Sequence, residues 1–132
     1  MIRSQLGAPM PLFRQVNPIL GTRDIDRAVS FYVDRLGFKL KFRNGTPPAE
    51  YVGFLRDGVE LHMQFQYPHE MGTIRLRIHV DDPDALYAEY RDKDVFYDRT
   101  ELRDTPWGTR EFALYDPDRN ALTFYADLRK SV

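Results

Sequence analysis

The residues able to do chemistry in this chain lie on short alternating stretches. In residues 59–65 (VELHMQF), Glu60, His62 and Gln64 alternate with Leu61, Met63 and Phe65. In residues 73–80 (TIRLRIHV), Arg75, Arg77 and His79 alternate with Ile74, Leu76, Ile78 and Val80. Period-two alternation puts one set on each face of a strand. With the apolar sets packed inward, Glu60, His62 and Gln64 share a polar surface with Arg75 and Arg77. Thr123 and Tyr125 join it from the last strand and Glu111 from the one before. Carboxylates and imidazoles on such a surface are ligands for a cation or acid–base groups. Guanidinium groups grip carboxylates and phosphates. The plainer alternative is a solvated sheet face whose charges pair among themselves, Arg75 or Arg77 with Glu60 or Glu111.

Other chemistries lack their residues. The absence of cysteine removes disulfides, thiolate metal sites and cysteine nucleophiles. Ser4, Ser30 and Ser131 stand outside any glycine-flanked elbow, and no phosphate loop or zinc signature occurs. A net charge of −1, from 19 basic and 20 acidic residues, offers no surface for nucleic acid or a polybasic membrane contact. No segment is apolar enough to span a membrane. Residues 1–13, with Pro9 and Pro11, lack the apolar run of a secretory signal, so a soluble cytoplasmic protein is expected. Trp107, the single tryptophan, lies between Pro106 and Gly108. It reads either as a core aromatic or as an aromatic shelf at the mouth of the polar surface.

The elements that must position these residues repeat. Ile25, Ala28, Val29, Tyr32 and Leu36 form one apolar helical stripe, with Asp24 placed to cap its start and Gly37 to end it. Residues 15–21 precede it as a short strand, with Pro18 hinting at a sheet edge. Strands at 38–43, 51–55 and 59–65 follow, with a turn or loop at 44–48 and a hairpin turn at Asp57-Gly58. The second half reads the same way: a strand at 73–80, a helix at 83–92 capped by Asp82 with Leu86 and Tyr90 inward, then strands at 95–97, 110–115 and 121–126. A shift of 58 positions pairs Asp24 with Asp82, Tyr32 with Tyr90 and Phe38 with Phe96. The expected fold is α+β: two tandem β-α-β-β-β modules, about residues 14–67 and 73–128, whose curved sheets form a cup. Residues 14–128 make one domain, and residues 1–13 are a loose tail or an arm laid over a partner subunit.

Residues 24–32 (DIDRAVSFY) and 36–38 (LGF), together with 59–62 (VELH), 106–108 (PWG), 110–113 (REFA) and 116–118 (DPD), resemble the vicinal oxygen chelate superfamily. Within it they are most similar to the glyoxalase/bleomycin-resistance group. The resemblance covers about residues 14–128. It implies a homodimer with a cup at or near the subunit interface. One departure is Arg119-Asn120, where the family usually carries glycine-asparagine.

The superfamily contains metal enzymes and metal-free binders. Metal members place four ligands on the cup face, and the resemblance maps these onto Asn17, Glu60, Arg75 and Thr123. Arginine has no lone pair to give and repels a cation, so neither a metal nor another cofactor is expected. The implied role is that of a metal-free binder that sequesters a planar small molecule, such as a glycopeptide antibiotic. Trp107, Phe42 and Tyr51 correspond by position to aromatics that sandwich the drug's rings. The ligand-binding set is thus Phe42, Tyr51, Glu60, His62, Arg75, Arg77, Trp107 and Glu111. The two arginines and the near-neutral charge depart from the acidic drug-binding relatives and point to a ligand with an acidic group, or to a protein not devoted to that drug. The rival reading is a metal-dependent lyase, dioxygenase or thiol transferase of the same superfamily, and a third is a ligand sensor.

Overall fold

The computed structural model describes residues 10–128. Strand β1 (Ile19–Thr22) leads into helix α1, which is α-helical over Ile25–Val29 and π-helical over Ser30–Arg35. Then come β2 (Lys39–Thr46), β3 (Ala49–Arg56), β4 (Val59–Phe65) and a 3₁₀ turn (Pro68–Glu70). The second half contains β5 (Arg75–His79), α2 (Pro83–Tyr90), β6 (Arg103–Asp104), β7 (Thr109–Tyr115) and β8 (Ala121–Asp127). Two four-stranded mixed sheets result, ordered β1-β4-β3-β2 and β5-β8-β7-β6. In each, the first strand runs parallel to the last and lies at an edge. The identical order in both halves is the architecture of the expected duplicated α+β fold.

The helix caps repeat as well. Asp24 accepts from the Arg27 amide and Asp82 from the Ala85 amide, each at 3.0 Å. Gly37 ends the first helix at φ +81°, where a side chain would be strained. Between the sheets and helices lies one apolar core that includes Leu20, Phe31, Tyr32, Phe54, Met63, Tyr90, Phe112 and Phe124.

Several local expectations need correction. The first helix does not stay α-helical: beyond Val29 it widens, and the Leu36 amide bonds the Phe31 carbonyl five residues back. The wider turn lets consecutive Phe31 and Tyr32 both face the core. β1 begins at Ile19, four residues later than the expected strand, and residues 15–18 precede it. Asn44-Gly45-Thr46, expected in a loop, continue β2 opposite Tyr51, Glu50 and Ala49, because Gly45 accepts φ +99° there. Residues 95–97 form no strand. Val95 is buried and Phe96 stacks on Tyr87, while Thr100 holds the Tyr97 amide and the Ala113 carbonyl. The partner of β7 is instead the two-residue β6. Arg119 makes its turn at φ +72°, with its guanidinium 4.4 Å from the centre of the Tyr115 ring.

Candidate functional site

Strand alternation holds where the polar residues sit. On β4, Leu61 and Met63 are buried, and Glu60 and His62 turn to the opposite face. On β5, Ile78 is buried while Arg75, Arg77 and His79 are exposed. On β7, Thr109 and Glu111 lie on one face and Phe112 and Leu114 on the other, and all four are buried.

Phe42 reaches this surface through an irregularity. Strict alternation would place it beside Phe38 and Leu40. A bulge between Leu40 and Phe42 shifts the register, so Leu40 stands opposite Phe54 and Phe42 opposite Gly53. The ring lies directly over Gly53: a Cβ there would fall 2.2 Å from Phe42 Cε2. Phe42 is then parallel to Tyr51, with centroids 6.0 Å apart, and edge-on to His62 at 5.2 Å.

Hydrogen bonds tie this group together. The Tyr51 hydroxyl lies 2.8 Å from His62 Nδ1, and His62 Nε2 lies 2.8 Å from Glu60 Oε2. Lys41, at the bulge, donates to Glu60 Oε1. The Lys41 ammonium, and after it His62, hold the Glu60 carboxyl below its ordinary value, so Glu60 is an ionised acceptor at neutral pH. Four of the expected site residues, Phe42, Tyr51, Glu60 and His62, thus form one contiguous group.

A second group lies on the other sheet. Arg77 donates to Glu111 Oε2 at 2.9 Å, and Thr109 donates to the same oxygen at 2.9 Å. The Arg77 guanidinium also sits 4.3 Å from the Tyr125 ring centre, and His79 meets that ring edge-on at 5.2 Å. Burial alone would push the Glu111 carboxyl up, but Arg77 and Thr109 bring it below its ordinary value. Trp107 is 60% exposed in the β6–β7 turn, with Arg103 5.7 Å from its ring. Arg75 forms no ion pair with a described residue. Of the two arginines, it is Arg77 that the glutamate engages.

Glu60 and Arg77 line one cleft of about 440 Å³, together with Asn17, His79, Val59 and Leu76. Another cleft of about 490 Å³ borders Phe38, Arg56, Glu89 and Tyr90. Its Arg56–Glu89 pair is satisfied internally at 2.8 Å, which makes that cleft part of the seam between the two halves.

The four mapped metal-ligand places do not share one register. The Asn17 amide donates to the Glu60 carbonyl, so these two are neighbours. Arg75, however, stands opposite Ala121, and Thr123 opposite Arg77. Either matched set contains an arginine. Among the described residues no group of three or more His, Asp or Glu is placed to hold a metal ion.

Lys41, Arg103 and Thr109 escaped the sequence reading. Lys41 is masked by the bulge, whereas Thr109 shares the odd-numbered parity of Glu111 and was open to the same argument.

Duplicated β-α-β-β-β halves with polar and aromatic groups on their sheet faces define a class of paired-module α+β proteins. The chain belongs to the glyoxalase/bleomycin resistance protein/dioxygenase superfamily, whose model matches residues 14–124. It is 26% identical over 131 residues to the bleomycin resistance protein of Geobacillus stearothermophilus, covering 85% of this chain and 96% of the relative. Among solved structures it is similar to the bleomycin-binding protein from bleomycin-producing Streptomyces verticillus, complexed with copper(II)-bleomycin. That match has 31% identity and a TM-score of 0.72, and spans 92% of this chain and 100% of the other. The bleomycin resistance determinant encoded on transposon Tn5 shares the fold, with TM-score 0.74, 22% identity, and coverage of 87% and 98%.

Proposed function

We propose that the protein is a metal-free binder that sequesters an antibiotic or another planar ligand, in a cup near the interface of a homodimer. The observation that carries this reading is the aromatic group Phe42–Tyr51–His62, held on a sheet face by the Gly53 seat and the Glu60 hydrogen bond. Flat rings fixed in this way offer stacking surface at little entropic cost. The similarity to a protein complexed with copper(II)-bleomycin supports a drug as ligand. Trp107 supplies a second exposed ring and an intrinsic reporter. No membrane-crossing helix occurs among the described residues.

The test is titration of Trp107 fluorescence with metal-free bleomycin and with copper(II)-bleomycin, alongside Phe42→Ala. Saturable quenching that weakens about two- to tenfold in the variant, the loss of roughly one aromatic stacking contact, is expected. Quenching that is equal in both proteins would remove Phe42 from the site. Elemental analysis after growth with added zinc, nickel and manganese checks the metal-free part; one ion per chain would favour the metalloenzyme reading.

A further inference from the structure

The duplication makes two equivalent seams between the halves, and the chain fills them differently. In one, the β7–β8 turn, Asp116–Asn120, reaches across to the end of β1 and the start of α1. Asp118, buried there, accepts from the Arg23 amide at 3.1 Å and from the Thr22 hydroxyl and Arg27 at 2.6 Å each. Asn120 donates to the Gly21 carbonyl. A shift of 58 positions carries Gly21, Thr22, Arg23 and Arg27 onto His79, Val80, Asp81 and Ala85. The turn that faces these residues is the β3–β4 hairpin, with only Asp57 and Gly58 between its strands. It is too short to reach in as Asp116–Asn120 does, and a cleft of about 490 Å³ remains.

The open seam also differs in chemistry. Phe38, Tyr90 and Phe124 form its floor and Val59, Val80 and Leu86 its walls, all on the helix side of the sheets, away from Glu60 and His62. Its rim carries the carboxylates of Asp57, Asp81, Asp82 and Glu89 against one guanidinium, Arg56. Arg56 is taken up by Glu89, the Leu36 carbonyl and the Tyr90 hydroxyl, and Asp82 caps α2. Asp57 and Asp81 form no ion pair with a described residue. Where the filled seam offers Thr22 and Arg27 to a carboxylate, the open one offers apolar surface beneath surplus negative charge. We propose that this cleft is a second binding site, separate from the cup, for a small amphiphilic cation: a hydrophobic ring system bearing an ammonium group. The rings displace water from the apolar floor, and the ammonium meets Asp57 and Asp81 at the rim, where a neutral or acidic ligand would leave those charges unanswered. The site stands whether or not the cup holds a drug.

Three naphthalene probes that differ chiefly in charge test this: 1-naphthylmethylamine, 1-naphthylmethanol and 1-naphthylacetate. Each is titrated into the full-length protein at neutral pH, with the NMR signals of Val80, Ala85 and Leu86 followed beside those of Phe42 and Tyr51. The amine should shift the first group saturably and bind about fivefold more tightly than the alcohol, with the carboxylate weaker still, as two partly exposed ion pairs would give. Asp57→Asn combined with Asp81→Asn should bring amine and alcohol within about twofold of each other. Ala85→Trp, at an exposed position of α2 that lines the cleft, should fill its mouth and remove binding of both. Shifts confined to Phe42 and Tyr51 would put the amine in the cup and overturn the second site. The proposal also fails if the three probes bind alike, or if the preference for the amine survives loss of both carboxylates. Absence of any saturable shift at Val80, Ala85 and Leu86 up to the solubility limit of the amine refutes it outright.

Discussion

Tyr32 donates its hydroxyl to Asp116 Oδ2 at 2.8 Å, joining the first helix to the β7–β8 turn. Its repeat counterpart, Tyr90, donates to the Leu36 carbonyl at 2.7 Å, from the second helix back to the first. Each half therefore satisfies its central tyrosine with an acceptor from the other. The same turn adds Asp118, which accepts from Thr22 and Arg27, each at 2.6 Å, while the Asn120 amide donates to the Gly21 carbonyl at 3.2 Å. These bonds fix how the two sheets are set, and through them the cleft between Glu60 and Arg77.

Tyr32→Phe should lower stability by about 1–3 kcal/mol, because it strips a donor from a buried carboxylate. Burial holds Asp116 above its ordinary value even with its hydrogen bonds, and burial, followed by the Asp116 charge, raises Tyr32. A raised carboxyl is better tolerated when protonated, so its contribution is most favourable in acid and declines as pH rises through the folded value. Losing Tyr32 enlarges that shift. Urea unfolding should thus show a deficit that is greatest near neutral pH and shrinks in acid. A deficit constant with pH would count against this account.

Gly53→Ala tests the seat of Phe42. The added methyl collides with a partly exposed ring that is able to swing outward. The expected stability change is small, about 1 kcal/mol or less. Bleomycin-induced quenching should fall as far as in Phe42→Ala. Unchanged binding with a displaced ring would show that Phe42 does not contact the ligand.

For Glu111 the sign is opposite to that of Asp116. Its folded value is depressed, so its stabilisation is complete above the ordinary glutamate range of about 4.3 and is lost as pH falls through the lower folded value. Arg77→Met removes the half-exposed guanidinium and leaves burial to push the carboxyl up. The acid slope of the melting temperature should flatten, with a cost near pH 7 of about 1–2 kcal/mol after discounting for solvent. Arg75→Met should leave that slope as it is. A slope that responds to Arg75 and ignores Arg77 would contradict the pairing.

Along residues 10–18, Phe13 is fully exposed and Val16 91% exposed, with Leu12 at 64%. Apolar side chains held this far from their own core suit an arm covered by a second subunit more than a loose tail. Light scattering should give about twice the 15.6 kDa chain mass. Placing aspartate at Phe13 and Val16 together should shift the protein toward monomer. A monomer before any substitution would refute the dimer.

Much of the site was legible because its strands alternate without interruption. In residues 59–65 and 73–80 parity alone separates Glu60, His62, Arg75 and Arg77 from the core, and the Arg77–Glu111 pair follows once both are on one face. Phe42 was reached only through family resemblance, since the bulge at Lys41 reverses the face that alternation assigns to it. The Tyr51–His62 bond depends on the β3–β4 register, which places Gly53 opposite His62 and Tyr51 one diagonal step away. No local pattern encodes that offset. The π-helical turn, which brings consecutive Phe31 and Tyr32 to the core, and the two-residue β6 likewise follow no local pattern.

The crossed tyrosine bonds bear on how a duplicated chain ages. Each copy relies on the other for the acceptor of its buried tyrosine, so a half on its own would give up that bond. A chain cut in the connector at residues 67–72 would release two fragments, each carrying an orphaned phenol at its centre. Mixing the two fragments should restore both bonds at once, so each half is the other's hydrogen-bonding partner as well as its copy.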